Sequence, residues 1–219
     1  GTFDTDDVTM LEALASQGAT LIERATLYEQ LREAFTGTIE ALAAALDSRD
    51  PYTHGHTRRV SKYSVNIGIW MGLSSQPVFD LRLAALLHDI GKVGIPDNIL
   101  KKPGSLTKEE FLVMTTHTLE GYKILKPVKL SQDILGGVLH HHEKWDGTGY
   151  PHGLKGSAIP LFGRIIGVAD TYDAMTSDRP YRKALSAQVA LQEIVKNKEK
   201  QFDPAVADVF IEHFDQIIL

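Results

Sequence analysis

Three apolar stretches of this chain each end on histidine or aspartate, and this pattern constrains the fold more than any other feature. The residues that follow these stretches are His88 and Asp89, His140 to His142, and Asp170. A buried imidazole or carboxylate is costly unless an opposite charge or a hydrogen-bonding partner meets it. If these polar side chains were buried separately, the cost would recur at each helix end. One metal centre that binds all of them would offset the cost at every end. We therefore expect the fold to bring these ends to one point.

Helical spacing dominates the chain after residue 50. Apolar residues recur there at intervals of three and four, and no stretch of four or more residues alternates as a half-buried strand would. The predicted helices are 55–72, 77–90, 107–124, 131–142, 160–176, 186–199 and 204–217. Loops that contain glycine and proline separate them. The predicted fold class is all-α, with a helical domain over residues 47–219.

Residues 1–46 predict a separate long amphipathic helix. Its apolar residues return every seven positions, at Leu14, Leu21, Tyr28, Phe35 and Leu42. A sustained seven-residue repeat is typical of a coiled-coil seam. Two interpretations stay open: a helix that folds back onto its own core, or a signalling helix that packs against a second copy. The persistence of the repeat favours the second, and with it a homodimer through this helix.

The composition excludes several classes of protein. The 219 residues include no cysteine, so disulfides and cysteine-based zinc sites are impossible. The 23 basic and 28 acidic side chains give a formal net charge of −5, which argues against binding to long nucleic acids. No apolar run reaches the ~18–20 residues of a membrane span, and the N-terminus lacks the form of a secretion signal. We expect a cytoplasmic protein without a membrane span.

The polar residues at the helix ends have the chemistry of metal ligands. Imidazole and carboxylate groups without thiolates suit iron, manganese, nickel, cobalt or zinc of the catalytic type. As helix neighbours, His88 and Asp89 would point about 100° apart, so the histidine can hold one ion while the carboxylate bridges to a second. The same spacing applies to His141 and His142. A single buried histidine is more often hydrogen-bonded to the backbone, so the prediction rests on the set.

Several motifs in this sequence resemble those of the HD phosphohydrolase superfamily. His56, the pair His88-Asp89 and Asp170 match its H…HD…D order, and residues 88–92 fit HDIGK. The string 141–151 resembles the HHExxDGxGYP motif of the HD-GYP branch, and 170–182 is similar to its DxxDAxxxxRPYR segment. The likeness extends from about Ala41 to Phe214. Residues 3–31 resemble the last helix of a GAF-type sensor domain, which implies that a sensor precedes the chain in a longer protein.

The resemblance implies an HD-type helical bundle that hydrolyses cyclic di-GMP, a bacterial second messenger, to pGpG or GMP through a hydroxide that bridges two metal ions. The implied ligands are His56, His88, Asp89, His117, His141, His142 and Asp170, with Asp89 as the bridge. Family members with three metals carry a glutamate four residues before the first of these histidines. Tyr52 stands there in this chain. We therefore expect two divalent ions, with iron as the first choice and manganese, nickel, cobalt or zinc as alternatives.

The same resemblance assigns roles to residues around the metals. Lys92 would bind the phosphate and offset developing charge, and Asp173 would orient a ligand or a water. Arg179 and Arg182 would bind phosphate, although arginines at such positions also serve as surface ion pairs. Tyr150 would stack on a guanine or donate to a phosphate. The family also uses the surface of this loop to contact GGDEF-type synthase domains.

The remaining histidines have plainer expectations. His140 should pack or hydrogen-bond, His54 and His152 should lie in loops or at the rim of a pocket, and His213 should lie on a surface helix.

Three functions are compatible with at least part of this set of motifs. An active cyclic-dinucleotide phosphodiesterase requires the full ligand set and Lys92, and both are present. A catalytically weak HD-GYP domain that senses the dinucleotide or docks partners is the alternative. A phosphohydrolase of monomeric nucleotides fits the HD motif but leaves the GYP loop unexplained. The preference between cyclic di-GMP and a mixed GMP–AMP ring stays open.

Overall fold

The computed structural model describes residues 4–49, 55–178 and 183–217, and the regular secondary structure of these residues is almost wholly helical. Their only β-type pairing is an isolated bridge between Lys198 and Phe202. The helices are α1 (Thr5–Arg49), α2 (His56–Trp70), α3 (Ser75–Leu87), α4 (Asp97–Leu100), α5 (Lys108–Thr115), α6 (His117–Leu125), α7 (Gln132–His140), α8 (Leu161–Thr176), α9 (Ala187–Lys196), α10 (Pro204–Glu212) and α11 (Phe214–Ile217). Short 3₁₀ turns lie at Ile90–Gly94, Lys126–Val128 and Gly156–Ala158. The all-α prediction is confirmed.

The chain divides into two compact units, residues 1–40 and 41–219. The first unit is the greater part of α1, an unbroken helix whose seven-residue stripe is open to solvent. Leu14, Leu21 and Tyr28 are 57%, 65% and 66% exposed. Within the described parts of the chain, α1 and the other helices all lack the combination of length and apolar character needed to cross a membrane.

The second unit is built around four helices, α2, α3, α7 and α8. α2 packs against α3 and α8, and α7 contacts α3, α6 and α8. Their fully buried side chains include Val60, Ile67, Ala84, Val138, Ile165 and Ile166. Full burial of such a branched aliphatic side chain contributes about 1.5–3 kcal/mol relative to exposure. Most of the polar residues predicted as ligands lie at or next to the ends of these helices and of α6.

Gly137 explains how α7 comes so close to its neighbours. A Cβ atom at this position would lie 3.0 Å from the Cβ of Phe162 and 3.1 Å from the Cβ of Ala84. Such contacts are tighter than ordinary van der Waals separations, so a larger residue would push α7 away from α3 and α8. The glycine therefore lets the ends of α3 and α7 approach each other.

The predicted helix 107–124 is wrong as a single element, because the structure divides it at Thr116. The hydroxyl of Thr115 donates to the Leu112 carbonyl at 2.8 Å, and that of Thr116 donates to the Val113 carbonyl at 2.7 Å. Side-chain hydroxyls that bond to local carbonyls compete with the helical backbone ladder. The break separates α5 from α6, and it makes His117 the first residue of α6.

Candidate metal centre

The fold gathers all seven predicted ligands into one cluster. They are His56 at the start of α2, His88 and Asp89 after α3, His117 at the start of α6, His141 and His142 after α7, and Asp170 within α8. Five of them are at most 6% exposed, and the Asp170 side chain is 16% exposed. Buried imidazoles and carboxylates in this number demand a common partner.

The predicted helical placement of the histidine pairs is wrong. α3 ends at Leu87, and Asp89 has φ −98° and ψ 5°, outside the helical region. The chain turns here because Gly91 lies against the start of α6, where a Cβ atom would stand 1.8 Å from the His117 carbonyl oxygen. α7 likewise ends at His140, one residue before the second pair. A tight turn therefore directs Asp89 into the cluster. We had expected the two residues to be neighbours on a helix, with side chains about 100° apart.

Asp89 lies between two groups of histidines, and each of its oxygens faces a different group. Its Oδ1 is 3.5 Å from His117 Nε2, whereas its Oδ2 is 3.3 Å from His88 Nε2 and 3.8 Å from His56 Nε2. Two candidate ligand triads lie around it, with donor atoms within 4.8 Å of one another: His56, His88 and Asp170, and His117, His141 and His142. This arrangement suits two ions that share one carboxylate.

Backbone carbonyls fix the orientation of three of the imidazoles. The Nδ1 atoms of His88, His117 and His141 each lie 2.8 Å from the carbonyl oxygen three residues earlier. A carbonyl only accepts, so each Nδ1 must carry the hydrogen, and in the neutral ring the Nε2 lone pair is free. Metal-binding histidines are commonly held in this way through the second nitrogen.

Three further observations bear on how these residues fit divalent ions. His88 Nε2 is buried and makes no hydrogen bond, a state that costs about 1–3 kcal/mol if it stays unsatisfied. Burial lowers the pKa of His142 to about 3 against the opposing charge of Asp170, so this ring is neutral at pH 7. Burial also opposes ionisation of Asp89, but Lys92 and His88 hold its pKa well below the usual range. Burial lowers the pKa of His88 as well, but the charges of Asp89 and Asp170 outweigh it and raise the value to about 9, so an ion bound at this ring would displace a proton.

Asp173 lies behind the first triad and contacts one of its histidines. Its Oδ2 is 2.7 Å from His56 Nδ1, and the Arg59 guanidinium donates to both of its oxygens, at 2.5 and 3.0 Å. Burial raises the pKa of Asp173, but the hydrogen bonds from His56 and Arg59 outweigh it and lower the value. We predicted Asp173 among the catalytic residues, as orienting a ligand or a water, and its contact with His56 favours the first role. Sequence reasoning missed Arg59, whose only signal is its position one helical turn after His56.

Lys92 lies beside Asp89, the carboxylate that faces both groups of histidines. Its Nζ lies 2.7 Å from Asp89 Oδ2, and its side chain is 16% exposed. Arg49 holds the turn that carries it, by donating to the carbonyls of Lys92, Val93 and Ile95 at 2.8–3.0 Å. Sequence reasoning also missed Arg49, since its partners lie at least 43 residues further along the chain.

The comparison with known proteins bears on this geometry. A protein-family model described as an HD domain matches residues 40–206. The chain belongs to the HD domain family. The predicted resemblance is thereby confirmed, and so is the HD-type bundle.

Two curated relatives and one solved structure show how far the likeness of this HD domain extends. A cyclic di-GMP phosphodiesterase of Thermotoga maritima is 46% identical over 175 residues, which are 79% of this chain and 48% of that protein. The 3′3′-cGAMP-specific phosphodiesterase 2 of Vibrio cholerae is 36% identical over 198 residues, 90% of this chain and 38% of that protein. The chain thus spans less than half the length of these relatives. The crystal structure of a Vibrio cholerae cyclic GMP-AMP-specific phosphodiesterase superposes with a TM-score of 0.64 at 24% identity, over 82% of this chain and 48% of that one, and shows the shared fold.

The loop after α7 brings Tyr150 to the cluster of seven predicted ligands, which is called the HD centre below. The Tyr150 ring lies 4.8 Å from the His142 ring and 6.0 Å from the ring of Phe111 on α5. Burial raises the pKa of Tyr150, so its hydroxyl stays protonated. Gly149 makes the loop possible, because a Cβ atom there would lie 2.3 Å from the Lys144 backbone nitrogen. Arg179 and Arg182, which we predicted to bind substrate, lie outside the described residues, as do Tyr52 and His54.

Replacement of Asp173 tests its role behind His56. Asp173→Asn keeps the size of the side chain but removes the charge that orients the imidazole. We expect the affinity for the metal to fall about 10- to 100-fold, as is usual when such a supporting carboxylate is lost. Equilibrium dialysis against a series of free metal concentrations, followed by elemental mass spectrometry, measures the change. Ser177→Ala is the matched control, since Ser177 touches the same carboxylate at 3.4 Å. Equal metal affinity in Asp173→Asn and wild type would contradict the role.

Proposed function

We propose that this HD domain is a metal-dependent phosphodiesterase that opens cyclic di-GMP to linear pGpG. The observation that carries the proposal is the position of Asp89, with one oxygen facing each group of histidines. A shared carboxylate between two ligand triads is the arrangement that binuclear phosphoester hydrolysis uses. The printed names of the relatives, cyclic di-GMP and 3′3′-cGAMP phosphodiesterases, support the same substrate class.

Two divalent ions are proposed, with iron as the first choice. His56, His88 and Asp170 would hold one ion, and His117, His141 and His142 the other, with Asp89 shared. When bound, such ions supply Lewis acidity and lower the pKa of a coordinated water towards neutrality.

The protein's own residues then position the diester. The Lys92 ammonium, fixed beside Asp89, would meet a non-bridging phosphate oxygen and offset the charge that develops on it. With two bound ions and Lys92, a chain of net charge −5 would concentrate positive charge in one pocket. A small doubly anionic ring would suit such a pocket, whereas the net negative charge of the chain disfavours a long nucleic acid.

Tyr150 and Phe111 would receive a purine base of the substrate. Phe111 is 49% exposed although its ring packs against Tyr150 beside the centre. Stacking of a base on an aromatic side chain contributes about 1–3 kcal/mol. We expect Phe111→Ala to raise KM for cyclic di-GMP about tenfold with a small change in kcat, measured by steady-state kinetics. Leu112→Ala, the exposed neighbour on α5, is the control and should leave KM unchanged. The stacking role fails if both variants behave alike.

A substrate panel distinguishes the proposed reaction from its rivals. Purified protein loaded anaerobically with Fe²⁺ or Mn²⁺ is incubated with cyclic di-GMP, 3′3′-cGAMP or mononucleotides, and the products are separated by chromatography. Conversion of cyclic di-GMP to pGpG supports the proposal, and any onward GMP appears in the same traces. Faster cleavage of 3′3′-cGAMP would reassign the substrate to the mixed ring. Binding of the dinucleotide without turnover would favour a sensor over an enzyme. Hydrolysis of mononucleotides alone would favour a phosphohydrolase of monomeric nucleotides.

The exposed stripe of α1 is proposed to pair with a second copy of the chain. Leu14 and Leu21 lie on it, and neither is covered within its own chain. We expect wild-type protein to sediment as a dimer and the double change of Leu14→Glu with Leu21→Glu to sediment as a monomer, because buried glutamates repel across the seam. Thr26→Glu, on another face of the repeat, serves as the control and should stay dimeric. A wild-type monomer in analytical ultracentrifugation would contradict the pairing. Docking of GGDEF-domain proteins on the loop 146–151 and a cytoplasmic location stay predictions.

A further inference from the structure

A second group of potential ligands lies at the base of the loop that carries Tyr150. His140 ends α7, Glu143 follows three residues later, and His152 comes after the loop, with one donor atom of each within 4.8 Å of the others. The rings of His140 and His152 are 5.3 Å apart, and His140 Nδ1 is 3.6 Å from a Glu143 oxygen. None of the three belongs to the seven residues of the HD centre.

His140 has a nitrogen without a partner in the described protein. Its Nδ1 is buried and makes no hydrogen bond, and its side chain is only 12% exposed. A buried, unsatisfied nitrogen costs about 1–3 kcal/mol. The structure thus presents a buried imidazole nitrogen that faces a carboxylate without bonding to it.

Glu143 adds a carboxylate to the group. Among the described side chains, histidine is the only basic type that lies within ion-pair distance of it. Its side chain is 0% exposed, and its two oxygens accept the backbone N–H groups of His152 and Leu154, at 2.8 and 3.0 Å. A carboxylate has about four lone-pair positions, so each oxygen can still bind a cation. A buried carboxylate is stabilised by a cation or by metal coordination. The same group therefore fixes the loop and remains able to act as a ligand.

We propose that His140, Glu143 and His152 bind a divalent transition-metal ion, zinc in the first instance, separate from the ions of the HD centre. Two imidazoles and one carboxylate, with water in the fourth position, form a normal donor set for zinc. His152 is exposed, so its ring is free to rotate the short distance that coordination requires. The bound ion joins the end of α7 to the far side of the loop and so holds the loop that presents Tyr150.

The test compares the zinc content of matched histidine variants. Wild type, His152→Ala and His213→Ala are equilibrated at micromolar free Zn²⁺, and zinc per chain is counted by elemental mass spectrometry. His213 is the control because its ring stacks on Trp70 and, among the described residues, it belongs to none of the candidate ligand groups. We expect His152→Ala to bind one zinc fewer than both other proteins. His152→Asp, which restores an oxygen ligand, should recover the missing ion.

The result also separates this site from the HD centre. His152→Ala keeps all seven residues of that centre, so its remaining zinc should match what the centre holds. We also expect zinc to raise the melting temperature less in His152→Ala than in wild type, since the ion no longer ties the loop to α7. Equal zinc content in wild type and His152→Ala overturns the proposal, whether or not the protein hydrolyses a dinucleotide.

Discussion

Asp89→Asn should lower kcat for cyclic di-GMP about a thousandfold or more and leave the protein with less bound metal than wild type. The change keeps the shape of the side chain but removes the charge that both histidine groups share. Asp89 Oδ1 faces His117 and Oδ2 faces His88, so its neutralisation weakens both proposed ion positions at once. Replacement of a residue that binds only one of the two ions would leave the other ion bound.

Elemental mass spectrometry and steady-state kinetics on the same preparation measure the two effects together. Asp133→Asn, at an exposed position in the first turn of α7, is the matched control and should keep both metal and turnover. Circular dichroism checks that the helices persist. Asp89→Asn protein with full metal content and wild-type kcat would refute the bridging role.

Lys92→Met should lower kcat about a hundredfold while the metal content stays at the wild-type level. The ammonium lies 2.7 Å from Asp89 Oδ2 but belongs to neither triad, so its proposed task is to meet the phosphate. Methionine keeps most of the apolar length of the side chain and removes the charge. The loss should therefore appear in turnover alone, in contrast with Asp89→Asn.

Two companion variants sharpen this second prediction. Lys101→Met removes a lysine that also pairs with an aspartate, Asp97 at 2.8 Å, but lies on an exposed surface, and it should leave kcat unchanged. Arg49→Met keeps the Lys92 ammonium but removes the hydrogen bonds that hold its turn. We expect it to lower kcat about tenfold. Loss of metal from Lys92→Met would show that the lysine supports the ligands and not the substrate.

Local periodicity was sufficient to predict the helical fold, but not where each helix ends. The apolar run before His88 predicted a buried helix that continued to residue 90, yet α3 stops at Leu87. The end is set by contact between Gly91 and the start of α6, which no local pattern reveals. The division at Thr116 coincides with two threonine hydroxyls that bond to local carbonyls. Five threonines of α1 make similar bonds without breaking that helix, so this pattern alone does not predict the division.

The residue types of the candidate site followed from sequence more readily than their geometry. Histidine and aspartate at the ends of apolar runs indicated a common centre, and the structure brings those residues together. The separate contacts of the two Asp89 oxygens depend on the packing of three different helices and could not be read from spacing. Arg59 and Asp173 meet across 114 residues of sequence, so their pairing required the fold.

A metal titration of turnover tests the central claim most directly. Chelator-stripped protein receives defined equivalents of Mn²⁺ under anaerobic conditions, and pGpG formed from cyclic di-GMP is measured by chromatography at each addition. If both ions are needed, the rate after one equivalent per chain should be well below half of the rate after two. Full activity with a single equivalent, or no pGpG at any metal content, would contradict a two-ion phosphodiesterase.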